Sequence, residues 1–310
     1  MRLDTIVVGM DFSDAAINAA KWTATHFAPH ARVILVHVID PPDRPPFGHD
    51  LLPTAEAIEA TARDFATTHL HDVASFLTPE TALCEIRVGK PYEEITKVAR
   101  ETGADLVVVG PHGDRPRPSK FLGTTAERIV RTSPVPVLVA TNPPASRPAN
   151  MLVPVDDLAI TPTLLEWTRD LATEFDADVT LLHVWSNAVY SHVASMSYAA
   201  KANEAEAREE ISNELRDAGH HWLREIARTG IQRDRVTAAV THGKPGDATI
   251  QLAKAMRADL IVLGRRGTGL VAPALLGSTV GTVLHGSSCP VFVVTERTEA
   301  QDQSANAADP

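Results

Sequence analysis

Cysteine is almost absent: the chain has two in 310 residues, Cys84 and Cys289, in strand-like contexts of different halves. That rules out a disulfide framework and reads as buried thiols in a reducing compartment, with one bridge between the halves as the minor alternative. Long apolar runs are missing too. No window approaches the roughly 18 uninterrupted apolar residues of a membrane span, so no transmembrane helix is expected. The apolar run near the start stops at Asp11 with no small-residue cleavage site after it, so no secretory leader is expected and the cytoplasm is the expected compartment. Positive charge is in deficit, with Lys and Arg at 29 against 39 Asp and Glu and a formal net charge of −10. Such a field repels a phosphate backbone, so nucleic acid is not an expected partner.

Two chemical signatures are also absent. No G-x4-G-K-[ST] loop supplies the lysine that P-loop enzymes bring to terminal phosphates, and no base or metal-binding carboxylate pair replaces it. Fast ATP hydrolysis is therefore not expected, and neither a catalytic residue nor a metal ligand is nominated. The histidines His69, His71, His220 and His221 fall in helical stretches without the i,i+4 spacing of a zinc helix and read as surface residues. His37 and His183, inside apolar strands, read as satisfied core or pocket-wall histidines rather than zinc ligands.

What is present is a duplication. Val88-Gly89-Lys90-Pro91 returns as His242-Gly243-Lys244-Pro245, Ala104-Asp105-Leu106-Val107 as Ala258-Asp259-Leu260-Ile261, and Leu122-Gly123-Thr124-Thr125 as Leu276-Gly277-Ser278-Thr279. The offset is 154 residues in each case, as between Gly89 and Gly243. Nearer the start Asp11 pairs with Asp156, and Leu35 to Val38 with Leu181 to Val184. The length suits two domains: 1–141 and 149–296, joined by the proline-rich linker 142–148. Residues 297–310, rich in Ala, Asp, Gln and Ser, read as a disordered tail.

Within each half, short apolar β-branched runs alternate with helical stretches, the pattern of βαβ units. The fold class expected is α/β: two open parallel five-stranded sheets with helices on both faces. Strands are expected at 5–10, 32–39, 84–88, 105–110 and 135–140, then at 150–155, 179–185, 236–241, 259–264 and 290–295. Residues 40–48 read as a surface loop and 199–227 as a long amphipathic helix. The last strand of each half carries a proline near its start and is expected at an edge of its sheet.

After the fourth strand of each half comes a glycine pattern of identical spacing, Gly110-x2-Gly113-x9-Gly123-Thr124 and Gly264-x2-Gly267-x9-Gly277-Ser278. A glycine at a strand end permits close approach of a ligand, a second permits a turn, and the third opens a helix whose free amides suit a phosphate. Asp11 and Asp156 end the first strand of each half, where a carboxylate either accepts hydrogen bonds from a ligand or caps the following helix. The second loop carries two cations, Arg265 and Arg266; the first holds three prolines and Asp114.

The glycine spacing, the strand-terminal aspartate, the His-Val ending of the second strand and the Gly-Lys-Pro segment together resemble the universal stress protein family, twice over. The resemblance implies a Rossmann-like fold binding ATP, alone or with Mg2+, with domains paired through their last strands. The two halves are then expected as a pseudo-two-fold pair within one chain, with a homodimer of chains and an unidentified protein partner as further expectations. Carried over residue by residue, the resemblance implies a first site of Gly9, Asp11, Val38, Val109, Gly110, Gly113, Gly123, Thr124 and Thr125. It implies a second of Pro154, Asp156, Val184, Leu263, Gly264, Gly267, Gly277, Ser278 and Thr279, to which Arg266 is added as a loop cation able to meet a polyphosphate. Two other readings stand beside an ATP-binding stress module: a slow adenine-nucleotide hydrolase, and a scaffold that binds a lipid or protein. The intact second loop favours nucleotide binding there.

Overall fold

The computed structural model describes residues 3–40, 54–77, 82–113, 122–156, 161–185, 204–231, 234–265 and 277–295. The chain forms two compact units that part between Ser146 and Arg147. The first contains β1 (Thr5–Gly9), α1 (Asp14–Trp22), β2 (Arg32–Ile39), α2 (Ala55–Ser75), β3 (Ala82–Val88), α3 (Pro91–Glu101), β4 (Leu106–Val109), α4 (Thr124–Thr132) and β5 (Val137–Val139). The second contains β6 (Asn150–Pro154), α5 (Thr161–Phe175), β7 (Asp178–Trp185), α6 (Glu204–Ile226), β8 (Val236–His242), α7 (Pro245–Ala255), β9 (Leu260–Gly264), α8 (Ser278–Gly286) and β10 (Val291–Val294). The loop expected at 40–48 lies outside the described residues apart from Asp40, as does the tail from 296. Among the described residues no helix is long and apolar enough to cross a membrane.

Each unit holds five parallel strands, in the order β3-β2-β1-β4-β5 and β8-β7-β6-β9-β10. The central strands are apolar throughout and buried, with Ile6, Val7, Val8, Leu106, Val107 and Val108 all sealed from solvent. Each such side chain contributes roughly 1.5–3 kcal/mol. Right-handed crossovers fix the layers. The path β1 to β2 to β3 runs one way along the sheet and puts α1 and α2 on one face; the return to β4 and β5 puts α3 and α4 on the other.

The motifs that revealed the duplication have structural work of their own. Asp105 Oδ2 accepts the amides of Asp4 and Thr5, both at 2.9 Å, and so fastens the entry of β1 to β4. Asp259 Oδ2 does the same for Ala149 and Asn150, both at 3.0 Å. Gly89 and Gly243 adopt φ of +144° and +135°, which disfavours any side chain, and turn the chain from β3 and β8 into helices that begin with Pro91 and Pro245. Their amides donate to Ile39 and Trp185 carbonyls at 2.9 and 3.1 Å.

Most strand boundaries fall within two residues of expectation. The last strands are shorter than the expected 135–140 and 290–295, because Pro136 and Pro290 lack the N–H that ladder pairing uses. Their carbonyls still accept from Val107 and Ile261, each at 3.0 Å. The long helix of the second unit, described over Glu204–Ile226, buries Ile211 and Leu223, so its apolar stripe is core packing.

Both thiols are reduced. Burial pushes Cys289 up to about 11 against a weaker opposing hydrogen bond from Ser287, and burial also raises Cys84. Iodoacetamide near pH 8 should therefore modify half-buried Cys84 slowly and Cys289 only after denaturant is added, read by peptide mass mapping. Asp105→Ala and Asp259→Ala should each cost about 1 kcal/mol in chemical denaturation, since one exposed and one half-buried amide lose a charged acceptor.

Candidate functional site

In a doubly wound sheet the crevice opens where neighbouring strands send their connections to opposite faces. That point lies between β1 and β4 in the first unit and between β6 and β9 in the second. A cavity of about 400 Å³ sits at the first. All nine expected residues border it: Gly9, Asp11, Val38, Val109, Gly110, Gly113, Gly123, Thr124 and Thr125. Its volume falls in the range of small-molecule pockets.

Each wall has a local cause. Ser13 caps α1 by accepting the Ala16 amide at 3.2 Å, and its own amide and hydroxyl donate to Asp11 Oδ1 at 3.0 and 2.6 Å. Capping of the helix and orientation of the carboxylate are thus one network, and the two readings of Asp11 are joined rather than opposed. The other oxygen, Oδ2, faces Gly113 so closely that a Cβ there would stand 2.6 Å from it. Only glycine leaves that carboxylate its place.

Opposite, α4 begins at Gly123, whose amide donates to Pro111 O at 2.6 Å. A glycine at this position has no side chain with which to cap, so the helix's first-turn amides, with the hydroxyls of Thr124 and Thr125, meet the cavity at the positive end of the helix dipole. Apolar side chains of Val38, Ile95 and Val109 make the inner wall. The result is one apolar slot, one oriented carboxylate and one anion-seeking helix end, suited to a ligand that joins a flat hydrogen-bonding ring to an anion.

The second unit repeats the arrangement around a cavity of about 140 Å³. Pro154, Asp156, Val184, Leu263, Gly264, Gly277, Ser278 and Thr279 border it, and α8 likewise begins at a glycine, Gly277, without a side-chain cap. Arg266 and Gly267 lie outside the described residues. Asp156 differs from its counterpart in that its carbonyl accepts the Thr161 hydroxyl at 2.5 Å. Among the described residues no group of three or more His, Cys, Asp or Glu is placed to hold a metal ion.

Sequence reasoning left out several wall residues. Met10, Ala16, Pro91, Ile95, His112 and Ala126 border the first cavity, and Val155, Thr161, Leu164, Leu182, Pro245 and Val280 the second. Pro91 and Pro245 occupy matching places in the repeated Gly-Lys-Pro segment, so the repeat itself was a signal for them. The others, apolar apart from His112 and Thr161, are brought to the walls by the tertiary packing of strand ends and helices. His37, read from sequence as a core or pocket-wall residue, borders the first cavity.

The fold and its two clefts define a tandem doubly wound α/β protein with one cleft per domain. The universal stress protein family model matches residues 2–141 and again residues 149–295, and the chain belongs to that family. A universal stress protein of Mycobacterium tuberculosis is 27% identical over 305 residues, covering 94% of this chain and 96% of that protein. The universal stress protein YxiE of Bacillus subtilis is 30% identical over 146 residues, covering 46% of this chain and 97% of its own length. Among solved structures, a universal stress protein from Archaeoglobus fulgidus shares the fold at a TM-score of 0.68 and 20% identity, over 95% of this chain and 97% of that one.

Ser13→Ala should lower stability by about 1 kcal/mol through loss of the α1 cap, measured by chemical denaturation, whereas Ser13→Thr, which keeps a hydroxyl to cap the helix and to donate to Asp11, should retain most of it.

Proposed function

We propose that each domain binds ATP in its cleft, alone or with magnesium, and that the protein is a cytoplasmic stress-response module whose nucleotide occupancy partner proteins read. The observation that carries this reading is the convergence of a strand-end aspartate, an apolar slot and an uncapped helix start on one cavity, repeated in both domains. The residues fit the ligand's parts. Val38 and Val109 offer apolar surface to a purine, and Asp11 Oδ2 offers an acceptor to base or ribose. Gly123, Thr124 and Thr125 offer amides and hydroxyls to phosphates; Gly277, Ser278 and Thr279 do so in the second domain.

The reading is of a binder rather than a fast hydrolase, because the sequence has no G-x4-G-K-[ST] loop to bring a lysine to the terminal phosphates. The cations Arg265 and Arg266 open the second loop, so the second domain is proposed as the tighter site.

Protein purified without added nucleotide should release ATP on denaturation, detected by mass spectrometry; ADP or AMP alone would favour turnover, and no nucleotide would favour the scaffold. In calorimetric titration Gly123→Val and Gly277→Val should each remove one site, Gly277→Val the tighter one, and unchanged affinity in Gly277→Val would overturn that ranking. Gly113→Ala should weaken the first site about tenfold, because the new methyl displaces the Asp11 carboxylate.

A further inference from the structure

We infer that Thr161, Leu164 and Val280 make the second cleft refuse bulk at the end of a nucleotide's phosphate chain, whereas the first cleft, with alanine at each of these places, admits it. Dinucleoside polyphosphates are then the class of ligand that the first domain alone accepts. This rests on the nucleotide reading of the clefts and goes beyond it, since the residues that the two domains share cannot separate one adenine nucleotide from another. The cavities themselves differ, at about 400 Å³ in the first domain and about 140 Å³ in the second. Particular side chains account for the difference.

The repeat supplies the pairing. Asp11 and Asp156 are as far apart in the chain as Trp22 and Trp167, which sets α1 and α5 in one register. Ala16 therefore matches Thr161, and Ala19 matches Leu164. Counted from Gly123 and Gly277, Ala126 on α4 matches Val280 on α8. Ala16 and Ala126 border the first cavity; Thr161, Leu164 and Val280 border the second. Every one of these replacements adds side-chain atoms to the wall. None of the larger side chains is free to step aside, because Leu164 and Val280 are buried and the Thr161 hydroxyl donates to the Asp156 carbonyl.

The narrowing falls at one end of the cleft. On the apolar slot bulk is exchanged rather than added: Gly9 becomes Pro154 while Ile95 becomes Thr249, and Val38 is kept as Val184. A Cβ at Gly9 would stand 2.9 Å from Ile95 Cδ1, so the strand side chain of one domain takes space that a helix side chain fills in the other. The helix starts have no such compensation. Ala16 lies in the first turn of α1, where a Cβ on Gly110 would stand 3.1 Å from its amide nitrogen, and Ala126 follows Thr125 in the first turn of α4. These are the elements that frame the phosphate end. An unsubstituted triphosphate is held closely between the larger side chains of the second cleft, whereas a phosphate chain that continues into a second nucleoside collides with them. In a close-packed wall a misfit of a few atoms changes affinity by roughly tenfold or more.

Calorimetric titration of the full chain tests this with ATP and with diadenosine tetraphosphate, which keeps the adenine and carries a second adenosine on its phosphate chain. Expected are two molecules of ATP per chain but one of the dinucleotide, the second domain binding the dinucleotide at least about tenfold more weakly than ATP. The dinucleotide site should survive Gly277→Val and vanish in Gly123→Val. Ala126→Val should weaken the dinucleotide about tenfold at the first site with little change in ATP, and Val280→Ala should bring the dinucleotide to the second. If the wild-type chain takes the dinucleotide equally at both sites or at neither, or if its site is lost in Gly277→Val, the inference is overturned while the nucleotide reading stands. If ATP does not bind, the nucleotide reading itself fails. Should a variant not fold, equal stoichiometry of the two ligands in the wild-type chain still overturns the inference.

Discussion

The reversal of direction between β1 and β4 is the constraint from which the rest follows. Parallel strands need long crossovers, and right-handed crossovers place successive helices on one face until the chain turns back across the sheet. At the turning point two neighbouring strand ends are left without a connection above them. In this protein Gly9 to Asp11 and Val109 to Gly113 occupy those ends, and the cavity is the space the topology leaves open. The second domain repeats the reversal between β6 and β9 and repeats the opening.

Around that opening the two helix starts are treated in opposite ways. Helix α1 is closed by Ser13, which satisfies its first-turn amide and ties down one oxygen of Asp11. Helix α4 begins at a glycine that has no side chain to offer, so its amides remain for something else. Capping one helix and leaving the other uncapped costs stability at the second and concentrates hydrogen-bond donors there. The chain accepts the same arrangement at α8. Because the overall charge is −10, an anion would be attracted only by such short-range groups, and the helix end acts within its first turn.

Much of this could be read from the residues. The 154-residue offset revealed the duplication, the β-branched runs the parallel sheets, and the glycine spacing the cleft-forming loops. What periodicity could not reveal was how the remaining walls come together. Ile95 lies on α3 and Ala16 on α1, far apart in the chain and without distinctive pattern, yet both border the first cavity. Asp105 and Asp259 stood out only as members of a repeat, and their bonds to the amides entering β1 and β6 span about a hundred residues. The left-handed backbone of Phe12 has no sequence signal at all, because a phenylalanine ordinarily avoids it.

The sequence by itself determined the number of domains, the strand order of events along each half and the residues at the strand ends, because those depend on local periodicity and on glycine spacing. The tertiary structure alone decided the contact of the His37 ring with the Met10 carbonyl, the oxygen of Asp11 that faces Gly113 and the unequal cavities of about 400 and 140 Å³. Each of these is set by contacts between segments remote in the chain. Near-identical motifs can therefore mark two clefts without making them alike.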